Sequence, residues 1–133
     1  MKNVVINIEW LDHVWSPLGQ GNKLRALNTD VPLSVDFLAQ AYIKPFFDQL
    51  PYKPFHRIKE TWRYAINVCD DKTLINAFDS NLPLYNTPKD IRSFYINVWL
   101  SVFNNELWSI QDLSVYTLIA RENTSPWAHS VYN

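Results

Sequence analysis

The densest hydrophobic pattern in the chain lies between Pro88 and Asn104. Ile91, Phe94, Tyr95, Ile96, Val98, Trp99, Leu100, Val102 and Phe103 cover almost every side of a helical projection. Ser93, Asn97, Ser101 and Asn104 interrupt it as one narrow, uncharged stripe. A helix with so little polar surface needs neighbours on most sides, so it is expected to be the central post of the fold. Thr87 can cap it, Pro88 suits the first helical position, and Asp90 places a negative charge in the first turn. The small stripe would let another helix approach closely, or line a narrow wet groove.

A second helix is expected from Pro54 to Cys69. Phe55, Ile58, Trp62, Ala65, Ile66 and Cys69 make one apolar stripe, and His56, Lys59, Glu60, Arg63 and Asn67 point away from it towards solvent. Upstream, Ser34 reads as an N-cap before Phe37, Leu38, Ala41, Tyr42, Phe46 and Leu50, which follow helical spacing. Pro45 falls inside that pattern and predicts a kink or two shorter helices. A short helix from Lys72 to Phe78 follows, with Asp71 as its cap.

The ends of the chain are less decided. Val4, Ile6, Ile8 and Trp10 alternate as on a strand, while Val4, Ile8, Leu11 and Trp15 share a helical face; β-branched enrichment favours strand for the first eight residues. Residues 16–22 hold both glycines and read as a loop. Ser109 and Asp112 resemble a capping box for a last helix from Ile110 to Arg121, with a strand over 114–121 as the alternative. Residues 124–133 read as a tail pinned by Trp127 and Tyr132. The expected fold is mostly α: a compact single-domain bundle of about five helices over residues 1–133, with one or two short terminal strands as an α+β alternative.

Composition adds an aromatic surplus. Six Trp, seven Tyr and seven Phe are more than a small core requires, so some rings are expected at the surface as interface anchors. A net charge of −1 argues against binding to nucleic acid or anionic membrane by bulk charge. The lone Cys69 allows no internal disulfide and suits a reducing compartment; with no apolar run of spanning length and no leader pattern, a cytoplasmic location without membrane contact is expected.

Several stretches hold residues that could do chemistry. His56 and Glu60 sit one helical turn apart, close enough to share a metal or a proton, and Asp12-His13 and His129-Ser130 hold acid–base letters without a framing motif. Cys69 lies on the apolar stripe, where burial keeps a thiol protonated. Gly19-Gln-Gly21 followed by Lys23 lacks the remainder of a phosphate loop. Lys53, His56, Arg57, Lys59 and Arg63, interleaved with Trp62 and Tyr64, offer charge and flat rings to single-stranded nucleic acid. No cofactor or metal is implied.

The profile fits a non-catalytic, protein-binding inhibitor of the bacterial immunity or antitoxin type. Asp70, Asp71, Asp79, Tyr85 and Asp90 are expected to meet a basic, toxin-like protein partner, a nuclease for example. The alternatives are a small hydrolase or nuclease using His56 with Glu60 or His13 with Asp12, and a nucleic-acid module using the 53–64 face.

Overall fold

The structure is a computed structural model that describes residues 3–20, 28–80, 87–119 and 124–128. It is mostly helical, with a small two-stranded parallel sheet. Strand β1 (Val4–Ile6) leads through a 3-10 turn (Ile8–Leu11) into the single turn α1 (Asp12–Trp15). Helices α2 (Pro32–Leu38), α3 (Lys44–Asp48), α4 (Tyr52–Val68), α5 (Asp71–Asp79) and α6 (Ile91–Val102) follow, and β2 (Tyr116–Leu118) closes the sheet. Among the described residues no helix is long and apolar enough to cross a membrane.

Both readings of the first fifteen residues hold, in succession. Val4 to Ile6 extend and pair with Tyr116 to Leu118 in parallel register, and Asn7 then caps the helical segment that buries Trp10, Leu11, Val14 and Trp15. The final helix expected from Ile110 does not form. Asp112 caps only a 3-10 turn (Leu113–Val115), and the β-favouring run Tyr116-Thr-Leu joins β1. Tertiary pairing and β propensity together outweigh the capping signal.

Helix starts also shift. α2 begins at Pro32 in the first helical turn after an extended Val31, so Ser34 lies inside the helix and does not cap it. Around Pro45 the pattern does resolve into two shorter helices: residues 39–43 form a π turn in which the Lys44 amide donates to Ala39 O, and α3 follows it. Proline cannot donate to the preceding turn, and the wider turn absorbs that change of register. Asp70, not Asp71, caps α5, and Asp90, not Thr87, caps α6; each carboxylate accepts an amide three residues on, Thr73 N and Ser93 N respectively. The Thr87 hydroxyl instead donates to Asp79 Oδ1 at 3.0 Å.

α6 is the core post that its pattern predicts. Ile91, Phe94, Tyr95, Val98, Trp99 and Val102 are all buried. Its neighbours contribute Trp15, Phe47, Trp62 and Phe78, fully buried, and these rings meet largely edge to face: Trp15 with Tyr95 at 4.8 Å, Trp62 with Trp99 at 5.4 Å, Trp99 with Phe103 at 4.5 Å. Edge-to-face contact is the arrangement the ring quadrupole favours, so these pairs gain beyond their buried area. Among the described residues most of the aromatic rings are buried or partly buried. Phe37, Tyr52 and Trp127 are exposed.

The polar stripe of α6 meets α2 at one end and a cavity at the other. Towards its C-terminus α2 and the π turn pack close, with Gln40 Nε2 donating to Ser101 O and Ser101 Oγ donating to Asp36 Oδ1. Towards its N-terminus Ser93 and Asn97 line a cavity of about 120 Å³, shared with Thr29, Asp30, Pro32, Val35, Asp90 and Phe94. Replacing Trp99 or Val98 with Ala is expected to lower unfolding free energy by about 3 kcal/mol each, since both are fully buried. Urea unfolding followed by tryptophan fluorescence measures this, and near-wild-type midpoints for both would show that the core is elsewhere.

Candidate functional site

The face of α4 expected to meet water is covered by the chain that follows α6. Asn104 and Asn105 adopt positive φ, 53° and 64°, at the end of α6; asparagine tolerates that region better than most residues. The reversal delivers Glu106 onto α4, where its carboxylate meets Lys59 Nζ at 2.8 Å and Arg63 Nη2 at 2.5 Å. Asn67 then holds the next stretch through Trp108 O and Ile110 N. Further along, the Tyr116 hydroxyl donates to Glu60 Oε1, and Arg57 Nη1 donates to the carbonyls of Pro126 and Ala128. Lys59 and Arg63 also lie over the rings of Phe103 and Trp99 at 4.6 and 5.1 Å.

Two sequence readings change as a result. Glu60 is not a solvated partner of His56: its side chain is only 8% exposed and is held by Tyr116 and by Arg63 at 3.4 Å. His56 instead stacks on Tyr52, with ring centroids 5.8 Å apart. The basic–aromatic face of residues 53–64 is likewise occupied from within the molecule. Arg57, Lys59 and Arg63 bind the chain's own C-terminal segment, Trp62 is core, and Tyr64 lies against Tyr116. The arrangement on which nucleic-acid contact depended is therefore an internal clasp.

Asp12 and His13 occupy a surface step beside the C-terminal segment. His13 meets Trp127 edge on at 5.2 Å, and burial pushes its imidazole below the usual histidine value, opposed by Asp12. Protein packed around the Asp12 carboxyl raises it above the ordinary aspartate value, with Ser80 and His13 acting against that rise. His13 also lines an open cavity of about 300 Å³ with Glu9, Trp10, Thr124 and Ser125. Cys69 is half buried, and desolvation, aided by Asp70, pushes its thiol up, which suits packing and not nucleophilic work. Among the described residues no group of three or more His, Cys, Asp and Glu converges to hold a metal. His129, Gly21 and Lys23 lie outside the described residues.

The acidic residues singled out from sequence gather around the start of α6. Asp90 caps it, with both carboxylate oxygens bound by Ser93. Arg92, in its first turn, donates to Ile66 O and Cys69 O at the end of α4 and to Asp71 Oδ1 at 3.0 Å. Asp70 caps α5 at the same junction, while Asp79 joins Thr87 just before α6. Hydrogen bonds to Thr73 hold Asp70 below the usual carboxylate value, and hydrogen bonds to Ser93 do the same for Asp90. All four acids are exposed. Tyr85 lies outside the described residues.

The structure adds features that the sequence reading missed. Asp30 belongs to the same acidic group, since its Oδ1 accepts the Lys89 amide at 2.8 Å. Asn28-Thr-Asp30, a side-chain-closed turn in which Asn28 Oδ1 accepts the Asp30 amide, was the available signal. Next to it α2 exposes Leu33 at 83% and Phe37 at 51%. Of the residues expected on the inward face, Leu38 is buried with Val35 and Ala39, Phe37 is exposed, and beyond the π turn Ile43 and Phe47 are fully buried where Tyr42 and Phe46 were expected. The π turn moves the inward face by one residue, which a regular 3.6 period does not reveal.

Comparisons of the chain with protein-family models, with curated proteins and with solved structures find no match.

The clasp is open to a direct check. Tyr116→Phe removes a hydrogen bond to a buried carboxyl and is expected to lower stability by about 1.5–3 kcal/mol, read by urea unfolding at pH 7. Unchanged stability would mean that Glu60 does not need it. Burial raises the hydroxyls of both Tyr95 and Tyr116 above the ordinary tyrosine value, Glu60 adding to the rise at Tyr116. A folded-state value above the unfolded one contributes stability below the unfolded pKa, about 10, that is lost as pH rises above it. Wild-type unfolding midpoints are thus expected to fall from pH 9 to pH 11, and less steeply in Tyr116→Phe.

Proposed function

We propose that this chain is a protein-binding inhibitor of the immunity or antitoxin type, acting in the bacterial cytoplasm on a basic partner without catalysis of its own. The observation that carries the reading is the set of exposed carboxylates, Asp70, Asp71, Asp79 and Asp90, around the junction of α4, α5 and α6. Each is positioned by the fold, two as helix caps, so the negative charge is fixed in place and ready before any partner arrives. Such charge steers association with a positively charged surface and accelerates it, more than it adds to final affinity. A nuclease that presents a basic substrate channel would be blocked by a protein that meets that channel with acids.

The reading is also supported by what the other candidates are engaged in. Glu60 and the cations of α4 close the C-terminal segment onto the core, and Cys69 is pushed towards its inert protonated form. A hydrolase based on Asp12 and His13 keeps one supporting feature, the cavity that His13 lines. It would show itself as activity of the purified chain that His13→Ala abolishes.

The test is kinetic. Asp70→Asn keeps a capping side chain but removes the charge, and Asp71→Lys and Asp79→Lys reverse theirs. Combined in one chain, they are expected to slow association with the protein that co-purifies with the tagged wild type by about tenfold or more at low salt, with a smaller change in dissociation. The deficit should shrink as salt rises. Association rates equal to wild type at low salt would remove these residues from the site.

A further inference from the structure

The stretch from Glu106 to Ile119, which covers the outer face of α4, is attached to the molecule without being packed into it. From Phe103 to Ile119 no side chain is buried, and the main core draws no buried residue from beyond Val102. Leu107, Leu113 and Leu118 are exposed. An open cavity of about 310 Å³ remains between Arg63 and this stretch, with Leu107, Ile110, Val115 and Tyr116 in its lining.

The attachments are polar. Glu106 pairs with Lys59 and Arg63, and its carbonyl accepts from Trp99 Nε1. Asn67 holds Trp108 O and Ile110 N, Tyr116 holds Glu60, and the Ile119 amide donates to Ile6 O at the end of a two-stranded sheet three residues long. Ion pairs to a carboxylate as exposed as that of Glu106 are weak, and so short a two-stranded ribbon is marginal by itself. Closure also has costs: Glu60 is taken out of water, and Arg63 Nε lies buried without an acceptor. Where the stretch leaves α6, Asn104 and Asn105 with their positive φ form a natural hinge.

We propose that residues 106–119 form a strap that opens as one unit about Asn104 and Asn105 while the helical core stays folded. A segment with few buried apolar contacts opens at a free energy well below that of global unfolding. Because the strap contributes no buried side chain, lifting it leaves the packing of helix on helix in place. It returns Glu60 and Arg63 to water and uncovers a strip that the closed chain neutralises: Lys59 and Arg63 beside the rings of Phe103 and Trp99. The strap is thus a gate over the chain's own basic, aromatic face. None of this depends on the acidic junction or on the nature of a partner.

The experiment is native-state hydrogen exchange on the full ¹⁵N-labelled chain, comparing the hydrogen-bonded amides of Ile110 and Ile119 in the strap with that of Tyr95 in α6. The strap amides are expected to be protected at least about a hundredfold less than Tyr95, with a weaker dependence on low urea concentrations, since opening exposes less surface than unfolding. Ile91→Val, a mild change in the buried core, should lower the protection of Tyr95 about threefold or more and leave Ile110 and Ile119 unchanged, because the open and closed forms share that core. Glu106→Gln removes the ionic hold and should lower the protection of Ile110 and Ile119 together, by about threefold or more. A response at Ile119, far along the strap from the substitution, is the mark of one opening unit.

Strap amides with the protection and urea dependence of Tyr95 would overturn the proposal, since strap and core would then open only together. So would loss of strap protection in step with Tyr95 in Ile91→Val. A Glu106→Gln effect confined to Ile110, or absent from both strap amides, would also overturn it, because the stretch would then fluctuate piecemeal and not open as a unit. The acid-steered reading is judged separately, by the association rates of the Asp70, Asp71 and Asp79 variants.

Discussion

Glu60 is buried in the middle of the face of α4 that the sequence paints as polar, and the shape of one side of the molecule depends on keeping it satisfied. A carboxyl in that position is tolerated only if donors come to it, because an unpartnered buried charge costs several kcal/mol. Arg63 supplies one from the next helical turn, and Tyr116 supplies another from far along the chain. To bring Tyr116 there, the chain must reverse after α6, lay Glu106 across Lys59 and Arg63, and run along α4 to pair with β1. The positive φ at Asn104 and Asn105 performs the reversal. Burying Glu60, neutralising Glu106 and pairing the two strands are parts of one closure.

That closure divides the surface. The α4 side, richest in arginine, lysine and aromatic residues, is turned into scaffold, and its cations sit over the core's outer rings. The region where α2 and α5 meet the start of α6 keeps its charge and some of its apolar side chains outward. The aspartates there serve two purposes at once. As caps they satisfy amides that the helices cannot satisfy themselves, and as exposed ionised groups they give that end of the molecule its sign. A partner would then be recognised by groups whose positions are already required for folding.

Much of the helical frame was legible in the sequence, and the reasons are local. The apolar surround of α6 announced its burial, and the period of Phe55, Ile58, Trp62, Ala65 and Ile66 announced the inner face of α4. The alternating Val4 and Ile6 announced a strand whose partner, Tyr116 to Leu118, was read as the second choice. What was not legible is what one segment does to another. No periodicity says that the outer face of α4 will be covered, so Glu60 and Arg63 looked solvated. No regular repeat shows a π turn at residues 39–43, so Tyr42 and Phe46 looked inward where Ile43 and Phe47 are. Of the candidate acids, Asp70 and Asp90 lie at helix starts that the sequence marked, although it gave the capping to Asp71 and Thr87. Asp30 and the Leu33–Phe37 ridge emerged only when α2 was seen lying along α6.

The outer face of α4 is interior to the fold through Glu60 and Tyr116. A double-mutant cycle between Glu60→Gln and Tyr116→Phe, measured by urea unfolding at neutral pH, tests it most directly. The account predicts that the two substitutions are coupled by about 1 kcal/mol or more, as expected for residues in one buried hydrogen-bonded network. Additivity within about 0.5 kcal/mol would show that the two side chains act independently, and the closure described here would be contradicted.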